Sequence, residues 1–229
     1  MNRTMNMVSM LAVAGVVALS PAANAITVLD TFLGPQTSAF IAGPATSTFT
    51  ATTADILGGT RTMTVGRVGG TGEVTAKIAA TGNTLVYSSD FSTDGFLTLG
   101  YNTPAFDITP GANGLTGQLA GDLGGASFTL TIGSTGGNSS SATQVIIPSG
   151  TAGTFSNFSI PFASLMGNVN LTQVTSVTLR LDGANSFDGA LRLLQFSTPP
   201  TGVPEPGSVA LAFGMLGGAA FTLRRRARK

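Results

Sequence analysis

The chain has 229 residues, 42% hydrophobic and only 9% charged, with 31 glycines and neither cysteine nor histidine. These absences exclude a cysteine nucleophile, a Ser-His-Asp triad, a histidine general base, any disulfide and any His/Cys zinc site. Six of the eleven basic residues stand at the termini, and residues 26–203 carry five bases against nine acids, a balance of −4 that repels phosphate backbones and argues against a nucleic-acid partner.

Residues 1–25, MNRTMNMVSMLAVAGVVALSPAANA, start with Arg3 and the terminal amine, continue as an apolar run over 7–19 and end in SPAANA. Thirteen apolar residues are short for a membrane span, Pro21 breaks the run, and Ala23 and Ala25 offer the small side chains that signal peptidase accepts. The segment is read as a signal helix cleaved after Ala25, with an uncleaved anchor or a buried helix as the alternative. Lack of cysteine does not contradict export, because many exported bacterial domains fold without bridges.

From residue 26 onward, apolar and polar residues alternate with period two. In GEVTAKIAA, Val74, Ala76 and Ile78 face one way and Thr75 and Lys77 the other. In SFTLTIGS the inward set is Phe128, Leu130 and Ile132, and in TSVTLRLDG it is Val177, Leu179 and Leu181, opposed by Thr178, Arg180 and Asp182. Such runs are half-buried strands, and the turns between them are rich in glycine and asparagine: GGTG, STDG, PGANG, STGGNSSS and GANSFDG. The spacing predicts an all-β antiparallel β-sandwich, jelly-roll-like, with one short helical turn at 163–166.

Chemistry-bearing patterns within this region are sparse. Asp90-Phe91-Ser92-Thr93-Asp94-Gly95 imitates the start of a calcium loop, but Tyr101 stands where that loop needs glutamate, so the segment is read as a turn. Asp30 and Asp188 are weak candidates for a structural Ca²⁺ near the two ends of the sandwich, and no metal site is assigned. A glycosidase would need two positioned carboxylates, whereas the nine acids sit mostly beside glycine or at strand ends, where turn chemistry explains them. Sugar platforms are few: Trp is absent, Tyr87 and Tyr101 are the tyrosines, and most of the fourteen phenylalanines fall at alternating core positions. STGGNSSSAT is read as a flexible polar hairpin loop, with glycan attachment as the alternative.

The carboxyl end has three parts. Val203, Pro204, Glu205 and Pro206 follow STPPTG, and these prolines hold the stretch extended. Residues 207–223 carry no charge and as a helix would extend about 25 Å, just enough to reach across a hydrocarbon core. Arg224, Arg225, Arg226, Arg228 and Lys229 then stop transfer and stay on the cytoplasmic side. The expected topology places everything from residue 26 to residue 203 outside the cytoplasmic membrane.

This order of Pro-Glu-Pro, apolar helix and arginine-rich tail resembles the PEP-CTERM family. The resemblance implies sorting by an exosortase, a membrane-embedded, cysteine-dependent enzyme of bacteria that make exopolysaccharide, and removal of the tail. Residues 153–183 also look like the distal half of jelly-roll domains common in that family, with Asn170 where an aspartate is usual. A plain anchor remains open, as does a sortase signal at Thr198-Pro199-Pro200-Thr201-Gly202, which lacks the leading leucine. The organisation expected is therefore a signal peptide (1–25), an exported sandwich (26–198), a proline-rich linker with the sorting motif (199–206), and a transmembrane helix with its basic tail (207–229). The expected function is that of a non-catalytic surface or exopolysaccharide-matrix protein with a structural or adhesive role in biofilm or floc and no cofactor. A carbohydrate-binding module acting on extracellular polysaccharide is the alternative, and a carboxylate-pair glycosidase a more distant one.

Overall fold

Alternating apolar residues and glycine-rich turns produce fourteen strands in the computed structural model, which describes residues 26–41, 46–54, 56–78, 83–121, 126–148 and 153–198. They are β1 (Thr27–Asp30), β2 (Gln36–Ile41), β3 (Thr46–Thr52), β4 (Thr60–Gly69), β5 (Val74–Ile78), β6 (Leu85–Ser89) and β7 (Asp94–Phe106). There follow β8 (Gly114–Gly121), β9 (Ala126–Ser134), β10 (Ser139–Ile146), β11 (Ser156–Pro161), β12 (Met166–Gly167), β13 (Val174–Gly183) and β14 (Asp188–Ser197). The expected signal helix at 1–25, the linker and sorting motif at 199–206, and the apolar run and basic tail at 207–229 lie outside the described residues. Among the described residues no helix is long and apolar enough to cross a membrane.

Two seven-stranded antiparallel sheets pack face to face. Sheet A runs β11-β8-β14-β6-β5-β2, with β1 beside β14, and sheet B runs β12-β10-β9-β13-β7-β4-β3. The chain crosses repeatedly between them, as in a jelly roll. Val74, Ala76 and Ile78, then Phe128, Leu130 and Ile132, then Val177, Leu179 and Leu181 all point into the space between the sheets and are at most 3% exposed. The period-two reading thus holds along all three strands, because each buries one face only.

Two local expectations are corrected. The serine run of STGGNSSSAT is not a loop: the turn is confined to Thr135–Gly137, where Gly136 and Gly137 take positive φ, and Ser139, Ser140 and Ser141 already pair with β9. Strand is favoured there because Ser140 turns inward and its hydroxyl accepts the Val169 amide at 3.0 Å. The helical turn expected at 163–166 is a 3-10 turn over Phe162–Ser164, and Met166 already belongs to β12.

The outer face of sheet B is a lattice of hydroxyls. Successive rows in register across the strands read Thr143, Thr129, Arg180, Thr98, Thr64, Thr48 and then Ser141, Thr131, Thr178, Gly100, Thr62, Thr50. Cross-strand hydrogen bonds join Thr48 to Thr64 and Thr129 to Thr143, both at 2.9 Å. Arg180 lies 3.9 Å above the Phe96 ring and pairs with Asp182 at 2.8 Å.

At one end of the core a charged pair bridges the sheets. Arg61 of β4 and Asp30 of β1 are both fully buried, with Nη1 donating to Oδ2 at 2.6 Å. Arg61 Nε donates to Gln36 Oε1 at 2.9 Å and its Nη2 to the Gly34 carbonyl at 3.3 Å, while the guanidinium lies 5.5 Å from the centroid of the Phe32 ring. Asp30 also accepts the Tyr101 hydroxyl at 2.9 Å and the Phe32 amide at 2.7 Å. Burial pushes the Asp30 carboxyl above its ordinary value, and the Arg61 charge, the Phe32 amide and the Tyr101 hydroxyl pull it back. Asp30→Ala leaves Arg61 buried without its counter-charge, so urea unfolding is expected to show a loss of about 3–5 kcal/mol, largely recovered in the double variant Asp30→Leu/Arg61→Met. A loss in the single variant below about 1 kcal/mol would mean that water compensates the arginine.

Candidate functional site

A cleft of about 600 Å³ opens on the outer face of sheet A. Its floor is made by small residues brought into line by strand pairing: Ala190 of β14 is in register with Val86 of β6 on one side and Ala120 of β8 on the other. One step along, Gly189 is opposite Gly121. A Cβ on Gly189 would come within 2.4 Å of the Phe187 ring and one on Gly121 within 3.1 Å, so both glycines let that buried ring fill the space beneath the floor. Period-two geometry then decides which side chains rise above it. Ser88 and Asp188, opposite one another, form one wall, and Thr84, Arg192 and Phe155 form the other. The walls are roughly 13 Å apart along β14, at about 3.3 Å per residue.

The second wall borders an irregularity. Between Arg192 and Gln195 the pairing of β14 with β8 slips: Arg192 faces Gln118 and Gln195 faces Thr116, so β14 carries one residue more than β8. Leu193 takes a φ of 44° at this bulge. Arg192 faces solvent by alternation with buried Leu191, and the extra residue after it lets Leu194 be buried as well. Its guanidinium lies 4.0 Å above the Phe155 ring, and its Nε donates to Thr84 Oγ1 at 2.9 Å. Lys77, in register with Val86, is a second cation on this face.

The residues singled out from sequence are scattered. Ala23, Ala25, Val203, Pro204, Glu205, Pro206 and the cluster Arg224, Arg225, Arg226, Arg228 and Lys229 lie outside the described residues. Asp30 and Asp188 cannot share an ion: Asp30 is opposite Leu194 and Asp188 opposite Ser88, roughly 20 Å apart along β14, and Asp30 is committed to Arg61. Among the described residues, no three His, Cys, Asp or Glu side chains gather as a metal-binding group. Of the segment 90–95, residues 90–93 form the turn, where Thr93 N donates to the Asp90 carbonyl and Asp90 Oδ2 accepts the Glu73 amide, both at 2.9 Å, whereas Asp94 and Gly95 already belong to β7. Among the described residues, Asp188 is the one carboxylate lining the cleft, and two-carboxylate hydrolysis needs a second.

Neither tyrosine is a sugar platform. Tyr101 is 1% exposed and holds Asp30; Tyr87 is 2% exposed, its ring 6.2 Å from that of Phe187. The aromatic side chain at the cleft is Phe155, which was not singled out from the sequence. The signal was present: Phe155 and Phe158 are three apart, so in a strand they cannot both face the core. LRLLQF carried a second one, since Leu191 and Leu193 share a parity that Leu194 and Phe196 break, as a bulge requires.

No protein-family model matches the chain, and no curated protein does. Among solved structures, it is similar to a family 11 carbohydrate-binding module of a cellulosomal cellulase of Clostridium thermocellum, at 14% identity and a TM-score of 0.43, over 79% of this chain and 99% of that one. A family 29 carbohydrate-binding module is similar at 10% identity and a TM-score of 0.37, over 76% and 90% of the two chains. An agarase is similar over 59% of this chain and 22% of its own, at 12% identity and a TM-score of 0.40. Likenesses this remote carry no argument about a ligand, and the fold rests on the strand pairing described above.

Beneath the floor, the Tyr87 hydroxyl is buried and among the described residues makes no well-formed hydrogen bond, Ser89 giving it only a weak interaction, and burial pushes its ionisation above the ordinary phenol value. Tyr87→Phe removes a desolvated group that is poorly compensated. Thermal unfolding is expected to show unchanged stability or a gain of up to about 1 kcal/mol, and a clear loss would mean the hydroxyl has a partner.

Proposed function

We propose that the chain is an exported, non-catalytic polysaccharide-binding module, and that the cleft on sheet A seats the sugar chain. The observation that carries this reading is the cross-strand floor of Val86, Ala190 and Ala120 between two polar walls. A pyranose presents apolar C–H faces and equatorial hydroxyls. Methyl groups and an aromatic ring suit the first, while Ser88, Thr84, Asp188 and Arg192 supply hydrogen bonds to the second. The cleft is open to solvent and runs across the strands, so a chain longer than the site can pass through it.

The sorting segments supply the setting. Their three-part resemblance supports export, processing by signal peptidase and an exosortase, and delivery into an exopolysaccharide layer. There, glycan binding would give the protein its structural or adhesive role in biofilm or floc. Mass spectrometry of the mature protein is expected to find Ile26 at the amino end and no basic tail. An intact Lys229 would instead support a plain anchor, and cleavage between Thr201 and Gly202 a sortase.

Binding is tested by affinity electrophoresis of the full-length protein through gels containing extracellular polysaccharides. Retardation by at least one polymer is expected. Ala190→Trp, which fills the floor from the solvent side, is expected to weaken it at least tenfold while shifting stability by about 0.5 kcal/mol or less. No retardation by any polymer, or undiminished binding by Ala190→Trp, would overturn the reading.

A further inference from the structure

The two walls of the cleft differ in charge, and the cationic one is the more constrained. Three restraints hold Arg192: its place in the regular ladder, next to buried Leu191 and opposite Gln118, sets its direction, the Phe155 ring supports the guanidinium at 4.0 Å, and the Nε–H is spent on Thr84. Among the described residues its ion pairs and hydrogen bonds include no carboxylate, in contrast to Arg61 and Arg180, each of which has its aspartate. With Nε engaged, the Nη1 and Nη2 groups remain as a planar pair of donors beside the apolar floor. A guanidinium ordered before its ligand arrives loses little entropy on binding, and its two parallel N–H groups match a carboxylate. Lys77, on the same face in register with Val86, adds a second positive charge, so two of the five basic residues between 26 and 203 flank this floor.

We propose that the cleft selects an acidic polysaccharide, with Arg192 as the specificity-determining residue that receives a uronate carboxylate while the sugar ring lies on the Val86, Ala190 and Ala120 floor. This rests on the polysaccharide-binding reading of the same cleft. Asp188 on the opposite wall accepts sugar hydroxyls and disfavours a second carboxylate on that side, so a chain carrying acid on one edge is preferred to one carrying it on both.

The test compares the full-length protein, its Arg192→Gln variant and its Arg192→Lys variant by affinity electrophoresis. The gels contain a neutral β-glucan, a polymer alternating glucuronate with a neutral hexose, or a sulfated neutral glucan. The alternating uronate polymer is expected to bind at least tenfold tighter than the neutral one, with the preference falling as salt rises. Arg192→Gln is expected to abolish that preference by weakening the uronate polymer more than the neutral glucan, and Arg192→Lys to restore only part of it, because an ammonium lacks the fork. Equal affinity for neutral and uronate polymers, or a preference that survives Arg192→Gln, would overturn the selection of acidic chains while leaving polysaccharide binding intact. A sulfated glucan bound as tightly as the uronate polymer would overturn the carboxylate assignment. Failure to bind any polymer would instead defeat the underlying reading.

Discussion

The ion pair between Asp30 and Arg61 is the constraint on which the geometry of this sandwich turns. It is fully buried, and it joins β1 of one sheet to β4 of the other. The position of β1 matters because β14 offers a single edge to two partners placed end to end: β6 pairs with residues 188–191 and β1 with Leu194 and its followers. The bulge at Leu193 falls at the junction of these two pairings. Anchoring β1 through a charge that cannot be left alone in the core therefore holds the part of β14 that follows the bulge, immediately beyond the point where Arg192 emerges.

The cleft has the same origin in strand pairing rather than in loops. Its depth comes from alanines held opposite each other by the ladder and from glycines that let Phe187 fill the space below. Its walls are the next outward-facing residues along the same strands. Among the described lining residues, Thr84 comes from just before β6 and Gly153 and Phe155 from the approach to β11, and Phe155 is in turn held under Arg192. A site built in this way has little backbone freedom to lose when it is filled.

Much of the fold was legible in the sequence, because strands that bury one face must alternate, and Val74 to Ile78, Phe128 to Ile132 and Val177 to Leu181 do so without interruption. The site was less legible for two reasons. Alanine and glycine carry no chemical signature, so a floor made from Ala120, Ala190, Gly121 and Gly189 shows itself only once three strands are aligned. The aromatic residues that drew attention, Tyr87 and Tyr101, belong to the core, whereas Phe155 and Arg192 meet across almost forty residues of chain. The serine run misled in a related way: hydroxyl-rich sequence reads as loop, yet here it is a strand between β12 and β9, with Ser140 turned inward and its hydroxyl bonded.

The threonine lattice on the far sheet gives the molecule an exterior that is wetted without being a polyelectrolyte. Its hydroxyls are hydrated or bonded to one another whatever the acidity of the surroundings, since none of them titrates in the range where cells live. Apart from the Arg180–Asp182 pair, brine, dilution and shifting pH therefore leave that side of the molecule much the same, while Arg192, Lys77 and Asp188 make the opposite side the one where ionic conditions are felt more.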